Sequence, residues 1–301
     1  MRPTKIFVTG ANGQLGRELQ VLAGDSPEND FFFFDRATLP IEDPDASLTF
    51  LAREKPQWLI NCAAYTAVDK AETEKETAFL INGDAPGYLA AACRKTGTRL
   101  IHLSTDYVFD GNSAIPLKET DPTGPINAYG ASKLQGEQQA LHDNPDGTLI
   151  IRTAWVYSEF GNNFVKTMIR LMKERSSINV VNDQIGSPTY AADLAAAILH
   201  IIGRTISAPG QPPHATFTPG LYHYSNEGQI SWYDFALAIR DAIRSTCTVN
   251  PIPTAQYPTP ARRPRYSLLD KTRIRGTYGL SIPEWHPSLL ACLQRLGYPT
   301  R

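Results

Sequence analysis

The sequence predicts an α/β fold built on a doubly wound parallel sheet. Short apolar runs alternate with segments of helical periodicity throughout the first half of the chain. The apolar runs are continuous, as expected for strands covered on both faces. The first run leads directly into a glycine-rich turn. With 301 residues, the chain is long enough to bury a large core.

The first half contributes the strands and helices of this predicted sheet. Leucines at helical spacing follow the first strand, and further helices are expected over Asp45–Arg53, Glu72–Lys95 and the segment that contains Tyr129 and Lys133. The expected strands are Ile6–Thr9, Phe31–Phe34, Trp58–Asn61, Arg99–Leu103 and Thr148–Arg152. We therefore expect residues 1–155 to form one domain.

After Trp155 the pattern becomes less regular, which predicts a smaller, discontinuous lobe over residues 156–301. One strand near residues 221–225 is expected to return to the main sheet. The proline-rich stretch Pro251–Pro264 is expected to be irregular. The remaining expectations are a helix over Asn163–Glu174, a strand over Ile178–Val181, a helix ending near Ile202 and a loop over Gly203–Gly220.

The composition excludes several classes of partner. A net charge of −1 provides no basic surface for nucleic acid. The apolar runs are too short to span a bilayer, and the strand at Lys5 leaves no room for a signal peptide, so we expect a cytoplasmic protein. The four cysteines are scattered and are interpreted as reduced thiols, with Cys62 buried in a strand. The sequence leaves open whether the chain forms a homodimer.

The turn after the first strand carries glycines at positions 10, 13 and 16. Gly10 permits a tight turn, Gly13 lets the backbone approach a pyrophosphate, and Gly16 lets the helix pack closely on the sheet. A helix that starts here offers unpaired amides and a partial positive charge to phosphate groups. This Rossmann-type pattern predicts a dinucleotide site, in which Gln14 and Leu15 between the glycines also take part.

Asp35 ends the second strand, about twenty residues after the glycines. A carboxylate there accepts hydrogen bonds from the adenosine ribose, which favours NADH. Arg36 follows at once, and its guanidinium suits the 2′-phosphate of NADPH. The choice between NADPH and NADH therefore stays open.

Three side chains are the predicted catalytic group. Tyr129 and Lys133 are four residues apart on a helix and so project from one face. A phenol titrates near ~10 in water, and a nearby ammonium stabilises its anion. Thr105 follows a strand at the carboxyl edge of the sheet, where its hydroxyl can bond a substrate carbonyl. The group suits proton transfer to a carbonyl that receives a hydride.

At this point the chain resembles the extended short-chain dehydrogenase/reductases and, within them, the dTDP-4-dehydrorhamnose reductases. The glycine turn and the Tyr129–Lys133 pair are not the only similar parts. The other stretches cover nearly the whole chain and are 61–72, 104–111, 152–157, 161–164, 182–189 and 257–264.

The resemblance implies reduction of the 4-keto group of dTDP-4-dehydro-β-L-rhamnose, a dTDP-4-keto-6-deoxysugar, to dTDP-β-L-rhamnose by NADPH or NADH. Tyr129 would donate the proton, Lys133 would also hold the nicotinamide ribose, and Thr105 would contact the carbonyl. It further implies cofactor contacts by Ala64, Tyr65, Thr66 and Leu103, sugar contacts by Thr105, Asp106 and Trp155, and weaker candidates for the nucleotide end in Asn163 and Arg263.

The sequence departs from the family pattern in two places. Relatives that bind magnesium at a dimer contact carry one glutamate after the glycine turn and a second after the Pro-Thr segment. Glu18 matches the first, but Ala192 occupies the second and Asp193 follows it, so we predict no metal. Pro40 stands ahead of Ile41 where relatives often carry aspartate, which weakens the inference about the adenine pocket.

Two other functions are compatible with parts of this pattern. A nucleotide-sugar dehydratase or epimerase shares the tyrosine and lysine, but a dehydratase typically has adjacent aspartate and glutamate after the threonine. Here Asp106 is followed by Tyr107. A non-catalytic NADP-binding regulatory subunit, like the methionine adenosyltransferase partner that resembles these reductases, is the other alternative. The intact Tyr129, Lys133 and Thr105 favour an enzyme.

Overall fold

A computed structural model describes residues 3–26, 28–206 and 216–299. Its strands are β1 Thr4–Thr9, β2 Asn29–Phe34, β3 Trp58–Asn61, β4 Arg99–Thr105, β5 Thr148–Thr153, β6 Val156–Tyr157, β7 Ser177–Val181, β8 Ile185–Gly186, β9 Thr189–Tyr190, β10 Gly220–His223, β11 Ile230–Ser231 and β12 Thr248–Ile252. Its α-helices are α1 Gln14–Ala23, α2 Pro44–Glu54, α3 Lys75–Phe79, α4 Ala85–Thr96, α5 Ala128–Asp143, α6 Phe164–Glu174, α7 Ala191–Thr205, α8 Trp232–Ala242, α9 Thr272–Tyr278 and α10 Trp285–Arg295.

Six strands form the main sheet in the order β10-β5-β4-β3-β1-β2, with every neighbouring pair parallel. The chain runs outward from β1 to β2 and then reverses through β3 towards β10. In such sheets a crevice opens where the strand order reverses, at the carboxyl ends of the strands. This topology confirms the predicted α/β class, and β10 is the strand expected to return to the sheet.

Both faces of the sheet are covered. Successive strand residues point to opposite faces, and in β1 both Val8 and Phe7 are almost fully buried. Val8 belongs to the core that α1 and α7 cover, whereas Phe7 belongs to the core under α2, α4 and α5. Burial on both faces explains why the strands consist of continuous apolar runs.

A second apolar core lies among α6, α8, α10 and the parallel pair β7–β12. Its buried members include Met168, Ile178, Phe235 and Leu289. Pro251 and Ile252 belong to β12, and residues 254–256 form a 3₁₀ turn, so the prediction of an irregular stretch over Pro251–Pro264 is wrong at its start. Proline is tolerated here because β12 pairs on one side alone.

The helix predicted over Glu72–Lys95 is interrupted. A 3₁₀ turn at Lys70–Glu72 precedes α3, and a π-helical turn over Leu80–Asp84 separates α3 from α4. Pro86 has no N–H to donate to the carbonyl of Asn82, four residues earlier. An uninterrupted α-helix through this point is therefore unfavourable.

The boundaries of other elements also differ from expectation. Helix α7 continues through Gly203 to Thr205, so the predicted loop Gly203–Gly220 begins later, and its residues 207–215 lie outside the described part. Cys62 follows β3 and is half-buried, so placing it within a strand was wrong. Within the described ranges, no helix has both the length and the apolar character needed to cross a membrane.

Candidate active site

A cleft of about 780 Å³ opens at the carboxyl edge of β1, β3 and β4, where the strand order reverses. The structure brings every predicted cofactor-binding residue to its wall. These residues are Gly10, Gly13, Gln14, Leu15, Gly16, Asp35, Arg36, Ala64, Tyr65, Thr66, Leu103, Tyr129 and Lys133.

The floor of the cleft begins at the glycine turn. Gly10 has a φ of +71°, and a Cβ there would lie 2.6 Å from the backbone nitrogen of Ala63. A Cβ on Gly16 would overlap the carbonyl oxygen of Gly10, so this glycine lets α1 pack against the turn. The Gly13 amide donates to the Gly10 carbonyl at 3.0 Å. Gly10 and Gly16 thus have the steric roles that the sequence predicts, whereas the approach of Gly13 to a pyrophosphate stays a prediction.

Helix α1 points its amino end into this cleft. Gly13 is its N-cap, and no described side chain caps it. No acidic residue occupies its first turn. The free amides and the helix dipole therefore favour an anion at this position.

Asp35 and Arg36 also line the cleft. The Asp35 carboxylate accepts hydrogen bonds from the Thr38 hydroxyl at 2.9 Å and the Thr38 amide at 3.0 Å. These bonds hold the pKa of Asp35 below its usual value. Arg36 is exposed and pairs with Glu42 at 2.7 Å. A cation and an anion are thus both present where the adenosine ribose is expected.

The segment Ala64–Thr66 forms another part of the cleft wall. The Asn82 side chain fixes it, since Oδ1 accepts from the Tyr65 amide at 2.8 Å and Nδ2 donates to the Tyr65 carbonyl at 2.9 Å. Asn82 also donates to Ser132 on α5 at 3.1 Å. The π-helical turn therefore links this wall to the helix that carries Tyr129.

Tyr129 and Lys133 lie in the first two turns of α5, whose N-cap Asn127 accepts from the Gly130 amide at 2.7 Å. Burial raises the pKa of Tyr129 to about 12. Burial also lowers the pKa of Lys133 to about 8. The Lys133 ammonium donates to the Leu103 carbonyl at 2.6 Å. The group that lowers the pKa of Tyr129, against the larger effect of burial, is the Thr105 hydroxyl and not Lys133. Stabilisation of the phenolate by Lys133 therefore stays a prediction.

A buried ion pair supports Lys133 from one turn further along α5. Glu137 and Arg152 are each 2% exposed, and their closest side-chain atoms are 2.6 Å apart. The Ser104 hydroxyl also donates to Glu137 at 2.5 Å. Glu137 counteracts part of the effect of burial on the pKa of Lys133. The sequence analysis missed this pair. The available signal was one charged residue within each of two packed elements, Glu137 in α5 and Arg152 in β5.

Thr105, Asp106 and Trp155 do not line the cofactor cleft. Thr105 and Asp106 are buried beside the Tyr129 phenol, whose pKa both influence. Trp155 has a φ of +49° and stacks on Trp232 at 3.6 Å between ring centroids. One face of the Trp155 indole is therefore already covered, and sugar contact through that face is excluded in this conformation.

The two weaker candidates are held by contacts within the protein. Asn163 Nδ2 donates to Gln14 Oε1 at 2.9 Å, which places it beside the glycine turn. The Arg263 guanidinium forms a bidentate pair with Asp69, at 2.7 and 2.9 Å. Their roles at the nucleotide end stay predictions.

The residues at the family's magnesium position do not fit a metal. Glu18 accepts from Ser158 at 2.6 Å and lies 3.3 Å from Arg295 Nη1. Arg295 also pairs with Glu159 at 2.6 Å. Burial raises the pKa of Glu18 to about 7. The Arg295 guanidinium therefore supplies the positive charge at this position.

Sequence reasoning also missed part of the cleft wall. Several of these residues adjoin the predicted ones, so proximity in sequence was the available signal, whereas Ile81 and Leu194 carried none. The additional lining residues are Thr9, Asn12, Leu39, Ile41, Glu42, Cys62, Ala63, Ile81, Ser104, Thr153, Val156, Gly161, Asn162 and Leu194.

Comparison with known proteins agrees with this geometry. The sequence model of the RmlD substrate binding domain matches residues 4–298. A dTDP-4-dehydrorhamnose reductase of Aggregatibacter actinomycetemcomitans is 41% identical over 291 residues, which are 95% of this chain and 97% of the relative. The chain belongs to the dTDP-4-dehydrorhamnose reductase family. The enzyme of that name from Escherichia coli K12 is 39% identical, with 97% of each chain covered.

Solved structures show the same similarity. A dTDP-4-dehydrorhamnose reductase from Clostridium acetobutylicum superimposes with a TM-score of 0.90 at 40% identity, covering 97% of this chain and 99% of that one. The enzyme of that name from Bacillus anthracis, solved in complex with NADP, has a TM-score of 0.90 at 38% identity and the same coverage. A dTDP-glucose 4,6-dehydratase from Streptomyces venezuelae, at 17% identity and a TM-score of 0.76, shares the fold.

Proposed function

We propose that this protein reduces the 4-keto group of dTDP-4-dehydro-β-L-rhamnose to give dTDP-β-L-rhamnose, with NADPH or NADH as hydride donor. The cleft supports this proposal most directly, because Tyr129 and Lys133 line the same cleft as the glycine turn. Family membership over nearly the whole chain supports the choice of substrate. The reaction belongs to dTDP-rhamnose biosynthesis.

In the proposed reaction the dinucleotide lies along the cleft. Its pyrophosphate meets the amino end of α1, and its adenosine ribose reaches Asp35 and Arg36. The similar Bacillus anthracis enzyme contains NADP, and Arg36 offers a cation for a 2′-phosphate. These two observations favour NADPH as donor. Lys133 holds the nicotinamide ribose, within reach of Tyr129.

The chemistry that the cofactor supplies is a hydride for the keto carbon. Tyr129 gives its phenolic proton to the keto oxygen as that oxygen becomes a hydroxyl. The phenol is protonated at neutral pH before the reaction, because the pKa of Tyr129, raised by burial to about 12, lies well above 7. Thr105, Asp106 and the free parts of Trp155 contact the sugar. The chain thus provides a half-buried proton donor that lines the cleft.

We also propose that the two halves of the chain bind different ligands. Residues 1–155, completed by β10, bind the dinucleotide, and residues 156–301 mainly bind the nucleotide sugar. The separate core around Phe235 supports an independent packing unit in the second half. We further propose a cytoplasmic location, which agrees with the composition of the chain.

The function is tested by following NADPH absorbance with a panel of dTDP-4-keto-6-deoxysugars, and then with NADH. We expect stoichiometric consumption of NADPH with the L-rhamno keto sugar. Tight NADPH binding without consumption would instead support a regulatory subunit. Loss of water from dTDP-glucose without net cofactor oxidation would indicate a dehydratase.

A further inference from the structure

Trp155 has a backbone conformation that its own side chain disfavours. Its φ of +49° lies in the left-handed region, which bulky residues rarely adopt. Trp155 comes two residues after Thr153, the end of β5, and Thr153 pairs with Thr105 at the end of β4. Strained residues persist only where their surroundings hold them, and they cluster at functional sites. The contacts that hold Trp155 therefore bear on function.

Trp232, the first residue of α8, covers one face of the Trp155 indole. The two ring centroids are 3.6 Å apart, and the ring planes differ by 12°. Phe164 of α6 packs on Trp232 in turn, at 4.6 Å between centroids. Trp155 also packs against the buried cluster that contains Phe109, whereas Trp232 packs against the second core. The stack therefore connects the end of β5 to the second half of the chain.

The antiparallel pair β8–β11 holds Trp155 from two directions. Gly186 of β8 lies beside the indole, because a Cβ there would be 3.0 Å from both Cε2 and Cζ2 of Trp155. Ser231 ends β11 and is also the N-cap of α8, where it forms a capping box with Asp234. The next residue is Trp232. The pairing of β11 with β8 thus fixes both Gly186 and Trp232 against the same ring.

Part of the Trp155 indole stays free. Trp155 and Trp232 are both half-buried. Thr153 and Val156, which flank Trp155 in the sequence, line the cofactor cleft. A ring that is already held in place loses little further freedom when a ligand binds to it. The exposed part of the indole is therefore a preorganised apolar surface for the C–H groups of a deoxysugar.

We propose that Trp232 is a positioning residue for the nucleotide sugar, and that it acts by stacking on Trp155. This inference rests on the function proposed above, in which the free part of Trp155 contacts the sugar. Without the stack, the strained backbone of Trp155 relaxes and the indole leaves the sugar. Trp232 does not line the cofactor cleft, so binding of the dinucleotide is independent of it.

The test compares dTDP-β-L-rhamnose with dTDP, which lacks the sugar, by calorimetric titration of Trp232→Met saturated with NADP⁺. Methionine keeps much of the apolar volume but has no ring to stack. We expect the affinity for dTDP-β-L-rhamnose to fall about fivefold, because an aromatic pair contributes about that much. The affinity for dTDP should stay within about twofold. Trp232→Phe, which keeps a ring, should recover most of the loss.

The matched control is Trp285→Met. Trp285 of α10 packs edge-on against Phe235 in the second core, at 5.9 Å between centroids. Its replacement removes an equally large ring from this core and leaves the Trp155–Trp232 stack in place. We expect lower stability in urea, with both ligand affinities unchanged. An equal loss of dTDP-β-L-rhamnose affinity in Trp285→Met and Trp232→Met would assign the effect to loosening of the core and overturn the inference.

Gly186→Ala tests the hold on Trp155 from β8, and it serves also if Trp232→Met does not fold. The added methyl group lies 3.0 Å from the indole, so the ring must shift by a few tenths of an ångström. We expect dTDP-β-L-rhamnose alone to lose affinity, by about two- to threefold. Unchanged affinity for both ligands would contradict a fixed indole at the sugar.

Other results also overturn the inference. They are an equal loss for both ligands in Trp232→Met, an unchanged affinity for dTDP-β-L-rhamnose, and an unsubstituted protein that binds dTDP as tightly as dTDP-β-L-rhamnose. Titration with NADPH, followed by its fluorescence, shows that each variant is folded. Sugar-dependent binding without any consumption of NADPH would instead refute the proposed reduction, because these titrations need no turnover.

Discussion

The two ends of the cleft are built in different ways. At the glycine turn the ligand-facing surface is backbone, shaped by the absence of side chains at Gly10 and Gly16. At the other end the surface consists of the half-buried Tyr129 and the buried Lys133, supported by the Glu137–Arg152 ion pair. The turn end therefore depends on sterics, and the catalytic end depends on charges kept out of water.

The catalytic end should show the largest effect when its proton donor is removed. Tyr129→Phe keeps the ring and its packing, so NADPH affinity should change little. Turnover should fall by about 10²–10⁴-fold, because proton donation is lost. Steady-state kinetics and a cofactor titration measure both quantities. Near-normal turnover would remove Tyr129 from the mechanism.

The buried ion pair near Lys133 is tested by Arg152→Met, which leaves the buried Glu137 carboxylate with its Ser104 hydrogen bond but without its guanidinium partner. We expect the free energy of unfolding to fall by about 3–5 kcal/mol. The matched control is Arg170→Met, because Arg170 and Glu174 form an exposed pair on α6. That change should cost at most about 0.5 kcal/mol. Equal effects in urea unfolding would show that burial of the pair does not matter.

The turn end can be tested with two glycines of nearly equal φ. Gly10 and Gly97 have φ values of +71° and +72°, but a Cβ at Gly97 would meet nothing within 4 Å. Gly10→Ala should lower NADPH affinity by more than about tenfold, since strain of about 1–3 kcal/mol is added to a clash with Ala63. Gly97→Ala should lower stability alone. If both variants kept full NADPH affinity, sterics would not control this end.

The smallest effect is expected at the adenosine ribose. Arg36→Ala removes an exposed cation that already pairs with Glu42. NADPH affinity should fall by no more than about fivefold, equivalent to about 1 kcal/mol, whereas NADH affinity should stay the same. Titrations with NADPH and with NADH measure the two affinities. An equal loss for both would mean that Arg36 does not contact a 2′-phosphate.

The difference between the two ends also explains what the sequence could reveal. The glycine spacing and the Tyr129–Lys133 spacing are local patterns, and the structure places all of these residues around one cleft. The Glu137–Arg152 pair joins α5 to β5, and Trp232 reaches Trp155 from a distant helix. Such contacts depend on how elements pack, which no local spacing encodes. The stacked Trp155 face was therefore unpredictable.

The interrupted helix before α4 shows the same limit. Its apolar spacing resembles one long helix, and only Pro86 signals that a carbonyl would lose its donor. The π-helical turn that results places Asn82 against the backbone of Tyr65. Periodicity alone does not reveal where an extra residue is accommodated in a helix.

That turn has an evolutionary consequence. Each residue in a helix advances the side chains by about 100°, so deleting one residue from Leu80–Asp84 would restore regular winding and rotate Asn82 away from the Tyr65 backbone and Ser132. Insertions and deletions should therefore be rejected here even though part of the segment is exposed. Among natural variants, this helix should preserve its length more strictly than its side chains.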